Sequence, residues 1–299
     1  MAQSASTNGF AVSLPTFETA RCWRMKSAAQ GPTWCFIWLR SRSFAEPSST
    51  LSIRMRPTSW AQAARGTSSV RTVVVVTSDK VYENVENANA FAEGDRLGGR
   101  EPYGTSKAAC ELVIDAYRKS YLDAAGIGIA SVRAGNIIGG GDWTQDRLIP
   151  DAVRAIAAGR KMLVRNPTSV RPWQHVVDAV SGTLLVAESL ARGPVAGAGP
   201  WNLGPDPSNV WPVSRVVERF ATLWGDGASW EPASDAEPQP YQARILTLDS
   251  RRARSELGWR PSLSLEEALL STVAWYKAHE RGLNVAKLSQ KLVHSISDT

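Results

Sequence analysis

The chain has 299 residues, 43% of them apolar and 21% charged, enough for a full core and one two-lobed globular unit. No stretch is apolar for the length of a membrane span, and the first residues lack a charged start followed by an apolar run. Neither membrane insertion nor export is therefore expected, and the setting is read as cytoplasmic.

The three cysteines, Cys22, Cys35 and Cys110, lack metal spacing and form no even framework, which fits a reducing compartment. No metal is expected, and core packing suits Cys110. The net charge of +6 invites a search for nucleic acid, but it is unevenly placed. Residues 1 to 62 hold seven basic side chains (Arg21, Arg24, Lys26, Arg40, Arg42, Arg54, Arg56) against Glu18 and Glu46, which is +5 of the +6. The remainder is nearly neutral, and no nucleic-acid partner is expected. The same segment carries four of the twelve tryptophans and two of the three cysteines, shows no clear amphipathic period, and contains "TWCFIWLRSRS", an odd string for any soluble element. Neither G-x-G-x-x-G nor G-x-x-G-x-x-G, the turns that bring backbone amides onto a phosphate, occurs before residue 63.

"VVVVTSDKVYEN" (73–84) runs four valines into Thr77, Ser78, Asp79 and Lys80. Uninterrupted β-branched residues suit a strand buried on both faces of a parallel sheet, and ligands bind at the carboxyl ends of such strands. A helix cap or loop start is the other reading of the polar cluster. "EPYGTSKAACELVIDAYRKSY" (101–121) then predicts a helix opened by Pro102, with Ala108, Leu112, Val113 and Ala116 as its apolar face. Tyr103 and Lys107, four apart, share one side of it. A nearby ammonium favours the phenolate and suits Tyr103 for proton transfer, although the same spacing also marks a solvated helix face.

"GIGIASVRAGNIIG" (126–139) reads as the next buried strand, with Asn136 at its end, followed by "GGGDW" (139–143), either a phosphate-approaching turn or a plain loop. "LIPDAVRAIAAGR" is helical and stopped by Gly159. "RNPTSVRPWQHVVDAVSGTLLVAESL" carries Arg165, Arg171 and His175 into an apolar helix, with His175 read as a structural group at the helix start. "GPWNLGPD" (199–206) suggests a short strand. "VSRVVERFATLWG" (213–225) suggests an amphipathic helix whose Phe220, Leu223 and Trp224 are core. "SLEEALLSTVAWYKAHERG" reads as the last helix, begun by a serine with acids in its first turn, and His279 and His294 as surface groups in a polar tail.

The strand end and the Tyr-x-x-x-Lys helix together resemble the extended short-chain dehydrogenase/reductase family of nucleotide-sugar enzymes. Sugar 4,6-dehydratases generally carry Thr-Asp-Glu at that strand end. Ser78-Asp79-Lys80 followed by "VYEN" resembles the CDP-glucose 4,6-dehydratases, as do "PYGTSKAACE", "RAGNIIGGGDW", "DRLIPD", "RNPTSVRPWQHVVD", "WNLGPD" and "LGWRP", over roughly residues 63 to 285. The resemblance implies a Rossmann-type doubly wound parallel sheet, its N-terminal half incomplete or aberrant, with a smaller C-terminal substrate lobe. Residues 1–62 are then an aberrant segment. Residues 63–135 are the rest of the NAD-binding domain, and 136–299 are mainly the nucleotide-sugar lobe, interleaved with Rossmann elements near 175–205. "LTLDSRRARSELGWRP" is expected to place a small helix under the substrate lobe.

The roles implied are those of the family. Thr77, Tyr103 and Lys107 lie on NAD. Tyr103 takes the proton of the sugar 4-hydroxyl, Ser78 bonds the same oxygen, and Lys107 holds the ribose and lowers the tyrosine pKa. Asp79, kept protonated, is the acid that releases the 6-hydroxyl. Lys80, in the place of the usual glutamate and neutral when it acts, is the base at carbon 5. Asn136 and Arg171 hold the substrate, Arg171 near the diphosphate of CDP-glucose or a similar nucleotide sugar. The partner copy is a second subunit in a homodimer built through helices that include the Tyr-Lys helix.

The first 61 residues read as a wrong-frame translation. Back-translating Trp34 to Arg42 and reading two nucleotides on permits Val-Phe-His-Leu-Ala-Ala-Gln-Pro, and Pro57 to Gln62 permits Asn-Val-Met-Gly-Thr. Both resemble what the family carries before its central strand, which places the expected true start upstream. A genuine, divergent N-terminus is the alternative. Three activities follow from these readings: the 4,6-dehydratase, another NAD-dependent nucleotide-sugar epimerase or reductase that does not need Asp79 and Lys80, and an inactive remnant that lacks the NAD loop.

Overall fold

The computed structural model describes residues 11–13, 20–26, 33–39, 70–86, 89–234 and 241–297, with side chains described from residue 71 to 294 of that range. A main sheet of six strands has the order β1 (Ala11–Ser13), β2 (Ala20–Lys26), β3 (Thr33–Leu39), β4 (Val70–Val76), β5 (Gly128–Ala134), β9 (Gly199–Leu203). Strands β3, β4, β5 and β9 are mutually parallel, while β1 pairs with β2, and β2 with β3, antiparallel.

The valine run lies at the centre. Val73 and Val75 face one side, packed with Ile114, Leu122, Ile127 and Ile129, and Val74 faces the other with Ala130, Val132, Val186 and Leu190. Side chains alternate across a strand, so a continuous apolar run is what a sheet covered on both faces requires. Each such fully buried valine contributes about 1.5–3 kcal/mol. Helix α1 (Pro102–Tyr117) covers the first face and α3 (Val176–Arg192) the second.

The strand expected over 126–139 divides in two. β5 ends where both neighbours end, at the pairings Val76 with Val132 and Leu203 with Ala134, and the chain leaves the sheet as β6 (Asn136–Ile138). β6 pairs with β8 (Val170–His175), which pairs with β10 (Val210–Pro212), and β7 (Met162–Val164) pairs with β11 (Trp230–Pro232). With α2 (Leu148–Ala157), α4 (Val213–Trp224) and α6 (Leu265–Glu280), these short strands enclose a second core that includes Phe220, Trp224 and Tyr276. Helix α2 stops before Gly159, whose φ is +64°, and α6 opens on a capping box between Ser264 and Glu267.

Three expectations are corrected. Helix α5 (Arg251–Glu256) packs on the main sheet, not under the second lobe: Ala253 and Trp259 join the core of β4, β5, β9 and α3, and Arg252 lies over the Trp201 ring at 3.9 Å. Helix α6 is not the last, because α7 (Val285–Ser297) follows, tied back by Trp275 donating to Ser289 at 3.1 Å. In α1 the inward face is Gly104, Lys107, Ala108, Glu111 and Ile114, while Leu112 is 63% exposed and Ala116 is also exposed. The loop at 139–143 packs against α6: a Cβ on Gly140 would stand 2.0 Å from the Trp275 ring, so this glycine admits an indole rather than a phosphate.

Candidate active site

β4 ends at Val76, and Ser78 caps a single 3-10 turn, Asp79–Val81, by accepting from the Lys80 amide at 3.2 Å. The turn lies against the first turn of α1, where Glu101 is the N-cap and accepts from the amides of Tyr103 (2.7 Å) and Gly104 (2.8 Å). A Cβ on Gly104 would come within 2.5 Å of the Lys80 carbonyl oxygen, so glycine here lets the catalytic turn and the helix touch backbone to backbone. The result is a compact group. The Ser78 and Tyr103 side chains are hydrogen-bonded, and the Nζ atoms of Lys80 and Lys107 stand 5.8 Å and 5.7 Å from the Tyr103 ring centroid.

The electrostatics follow from burial. Asp79 is 4% exposed and desolvation raises its pKa, opposed by Lys80, the Ser78 hydroxyl and Arg171. Ser78 donates to its Oδ1 at 3.1 Å, and its Oδ2 is buried with no protein partner. Desolvation lowers the Lys80 pKa, with Glu101 and Asp79 acting upward and Arg171 and Arg147 downward. Desolvation likewise lowers Lys107. Burial raises the Tyr103 pKa, opposed by the Ser78 hydrogen bond and Arg147 and reinforced by Asp79 and Glu101.

An open cleft of about 400 Å³ leads from Lys80 and Glu101 past Tyr82 and Asn84 to Arg100, Arg171 and Tyr241. Arg171, on β8, is held by bonds from one guanidinium nitrogen to the carbonyls of Val170 (2.8 Å) and Arg244 (3.5 Å). Arg100 lies 4.6 Å from the Tyr241 ring, and the Tyr241 hydroxyl donates to Glu86 at 2.6 Å. Ser78, Asp79, Lys80, Tyr103, Lys107 and Arg171 thus converge. Of these, Lys80 and Arg171 line the cleft itself, and Asn136 is carried on β6, beside the strand that bears Arg171.

Sequence reasoning passed over Glu101, Arg147, Arg100 and Tyr241. An acid directly before Pro102 is a readable helix cap, and Arg147 lies inside the quoted "DRLIPD". Nothing local marks Arg100 or Tyr241, which meet across 141 positions. His175 is the N-cap of α3, its Nδ1 accepting from Val177 at 3.2 Å, and burial lowers its pKa to about 4.

Behind the group lies a buried ion pair. Glu111 accepts from Thr77 (2.5 Å), Ser131 (2.6 Å) and both Nε and a terminal nitrogen of Arg133 (3.0 and 2.9 Å), and Arg133 also donates to Tyr82 (2.9 Å). The hydroxyl of Thr77 is thus part of the support of the strand end.

A nicotinamide cofactor fits this site at one end. Tyr103, bonded to Ser78, with Lys107 one turn on and the buried carboxyl end of β4 below, suits a nicotinamide ribose. The pyrophosphate end lacks a counterpart among the described residues. The strand beside β3 is β2, and it runs antiparallel, so its carboxyl end lies at the opposite edge of the sheet from Ser78. A phosphate turn there would need a parallel strand feeding a helix.

The family model "NAD dependent epimerase/dehydratase family" matches residues 40–204, beginning upstream of the motif-bearing region. A CDP-glucose 4,6-dehydratase of Salmonella typhimurium is 40% identical over 255 residues, spanning 83% of this chain and 70% of that protein. A dTDP-glucose 4,6-dehydratase of Streptomyces griseus is 30% identical over 70% of this chain and 60% of its own length. The crystal structure of a dTDP-glucose 4,6-dehydratase from Bacillus anthracis in complex with NAD superposes with a TM-score of 0.63 over 76% of this chain and 68% of that one, at 24% identity, and shares the fold. With a family model over more than half its length, and a relative at this identity, the chain belongs to the NAD-dependent epimerase/dehydratase family.

Proposed function

We propose that the chain is built to dehydrate CDP-glucose to CDP-4-keto-6-deoxyglucose. The observation that carries this reading is the adjacent pair Asp79 and Lys80, one with a buried, unpartnered carboxyl oxygen and a raised pKa, the other a lysine whose pKa burial lowers, both facing Tyr103. An epimerase has no use for an acid and a base so placed, since it removes no hydroxyl. The 40% identical relative supports the same substrate.

Tyr103 accepts the proton of the 4-hydroxyl, and Ser78, bonded to Tyr103, fixes that oxygen. When bound against Tyr103 and Lys107, NAD supplies the hydride acceptor for carbon 4 and the donor for carbon 6, leaving no net redox change. The 4-ketone acidifies carbon 5. Neutral Lys80 removes the proton there while Asp79 protonates the departing 6-hydroxyl, so water leaves across the C5–C6 bond. Lys80 returns its proton to carbon 5, and the proton that Tyr103 took from the 4-hydroxyl passes to Asp79, which restores all three groups. Arg171, whose charge acts on both Asp79 and Lys80, and Arg147, whose charge acts on Lys80, are suited to the diphosphate, and Asn136, beside the strand that bears Arg171, to the sugar side.

We further place the family's dimer contact on α1, whose Leu112 and Ala116 point outward, and the enzyme in the cytoplasm, where the free Cys110 suits a reducing setting. Among the described residues no helix is long and apolar enough to cross a membrane.

The test is the mass of the product formed from CDP-glucose with NAD supplied. Loss of water is expected, and Tyr103→Phe abolishes it while largely preserving CDP-glucose binding, since only the proton-transfer group is lost. A product of unchanged mass would replace the dehydratase with an epimerase. A second reading, a remnant unable to hold NAD, is favoured by the antiparallel β2 and the missing glycine turn. It predicts no product and no NAD binding.

A further inference from the structure

We infer that Glu101 is a positioning residue for the elimination, acting through Lys80; the inference rests on the base role proposed above. Glu101 joins the two catalytic segments at one carboxylate. Its Oε2 accepts from the Tyr103 amide and its Oε1 from the Gly104 amide, which fixes the helix that carries Tyr103 and Lys107. The same Oε1 lies 3.9 Å from Lys80 Nζ, on the strand-end turn, and the Glu101 side chain is only 8% exposed. A cap that merely ends a helix needs no charge and no lysine. This one stands where the orientation and protonation of Lys80 are set.

The groups around Lys80 come from every element that packs on it. Asp79 is its neighbour in the turn, Glu101 and Tyr103 belong to the start of α1, Arg100 to the segment before it, Arg171 to β8, Arg147 to the cap of α2, and Tyr241 to the far wall of the cleft. Burial and the two arginines favour neutral Lys80, and the two carboxylates oppose them. Of the two, Glu101 acts on Lys80 more strongly, and Asp79, with its raised pKa, is the weaker opponent where it is protonated. Glu101 thereby keeps Lys80 from losing its proton permanently, so that it takes the carbon 5 proton and passes it on. Opposite charges at this separation move a pKa by about 1–3 units.

The experiment follows Lys80 directly and requires no turnover. Trace acetylation of the full-length chain, quantified by peptide mass spectrometry from pH 6 to 11, gives the pH at which the Lys80 amine becomes reactive. Glu101→Gln and Glu101→Asn remove the charge but keep a side-chain oxygen for the cap, Asn being among the best N-caps, whereas Glu101→Asp keeps both. The midpoint is expected to fall by about 1–3 pH units in the neutral variants and to stay near that of the parent chain in Glu101→Asp. In turnover assays the acid limb of kcat, but not KM, moves down with it. An unchanged midpoint in a folded neutral variant, with only lost thermal stability, would reduce Glu101 to a helix cap and overturn the inference. If instead Lys80→Met left dehydration intact while the midpoints moved as expected, the base role proposed for Lys80 would fail and the coupling of Glu101 to Lys80 would stand.

Discussion

Glu111 and Arg133 offer a severe test of how the strand end is held. Their side chains are 4% and 3% exposed, and the carboxylate receives four hydrogen bonds, two of them from the guanidinium. In Glu111→Ala, Arg133 keeps the Tyr82 hydroxyl (2.9 Å) and the Glu93 carbonyl (3.1 Å), the Ser131 hydroxyl loses its acceptor, and the Thr77 hydroxyl keeps only the Val132 carbonyl at 3.3 Å. Leaving one member of a buried pair uncompensated costs about 3–5 kcal/mol. At roughly 2–4 °C per kcal/mol for a chain of this size, Tm falls by about 6–20 °C. Removing both charges is gentler: Glu111→Leu with Arg133→Met should be more stable than either single variant, because no ion remains to be desolvated alone. Urea melts followed by tryptophan fluorescence measure the cycle. A single-variant loss below about 1 kcal/mol, or a double variant that loses the full sum, would refute the account of a buried, mutually dependent pair.

Lys80→Met should stop solvent deuterium entering carbon 5 and the product while oxidation at carbon 4 survives; normal deuterium uptake would assign the base to another group. His175, with a folded pKa of about 4 against an unfolded value of 6.5, binds fewer protons folded than unfolded between those values, so stability falls as pH drops through that window, by about 3 kcal/mol in all. His175→Asn keeps a capping oxygen and should flatten that slope in urea melts taken from pH 7 to 4; an unaltered slope would place the titration elsewhere. The 299-residue chain should bind NAD at least about tenfold more weakly than a version with residues 1–61 restored to the alternative frame, since backbone amides at a helix start supply several hydrogen bonds to a pyrophosphate. Equal affinities by calorimetry would overturn the wrong-frame reading.

Much of the site was legible because it is local. Four valines name a doubly covered strand, Ser78-Asp79-Lys80 follow it directly, and Tyr103 and Lys107 are one helical turn apart. What escaped depends on distant partners. Counting apolar positions turned Leu112 and Ala116 inward, whereas α1 buries Lys107 and Glu111, and the charge that compensates Glu111 is on Arg133, 22 positions away on β5. The shift of Tyr103 is set chiefly by its burial, which no spacing conveys. Helix α7 was missed because its composition is largely polar, although Trp275 ties it back at Ser289. The residues from 40 to 69, within the span matched by the family model, lie outside the described residues, as do the strings that suggested the alternative frame, except where they coincide with β3.

The contact at Gly104 has a kinematic consequence. With the Lys80 carbonyl against the α1 backbone, and Glu111 of α1 bonded to Thr77, Ser131 and Arg133, the turn that carries Asp79 and Lys80 and the helix that carries Tyr103 are locked to each other and to the sheet. The opposite wall is built differently: Tyr241 meets Glu86 and Arg100 there through side chains at the surface, by two exposed hydrogen bonds and a ring contact.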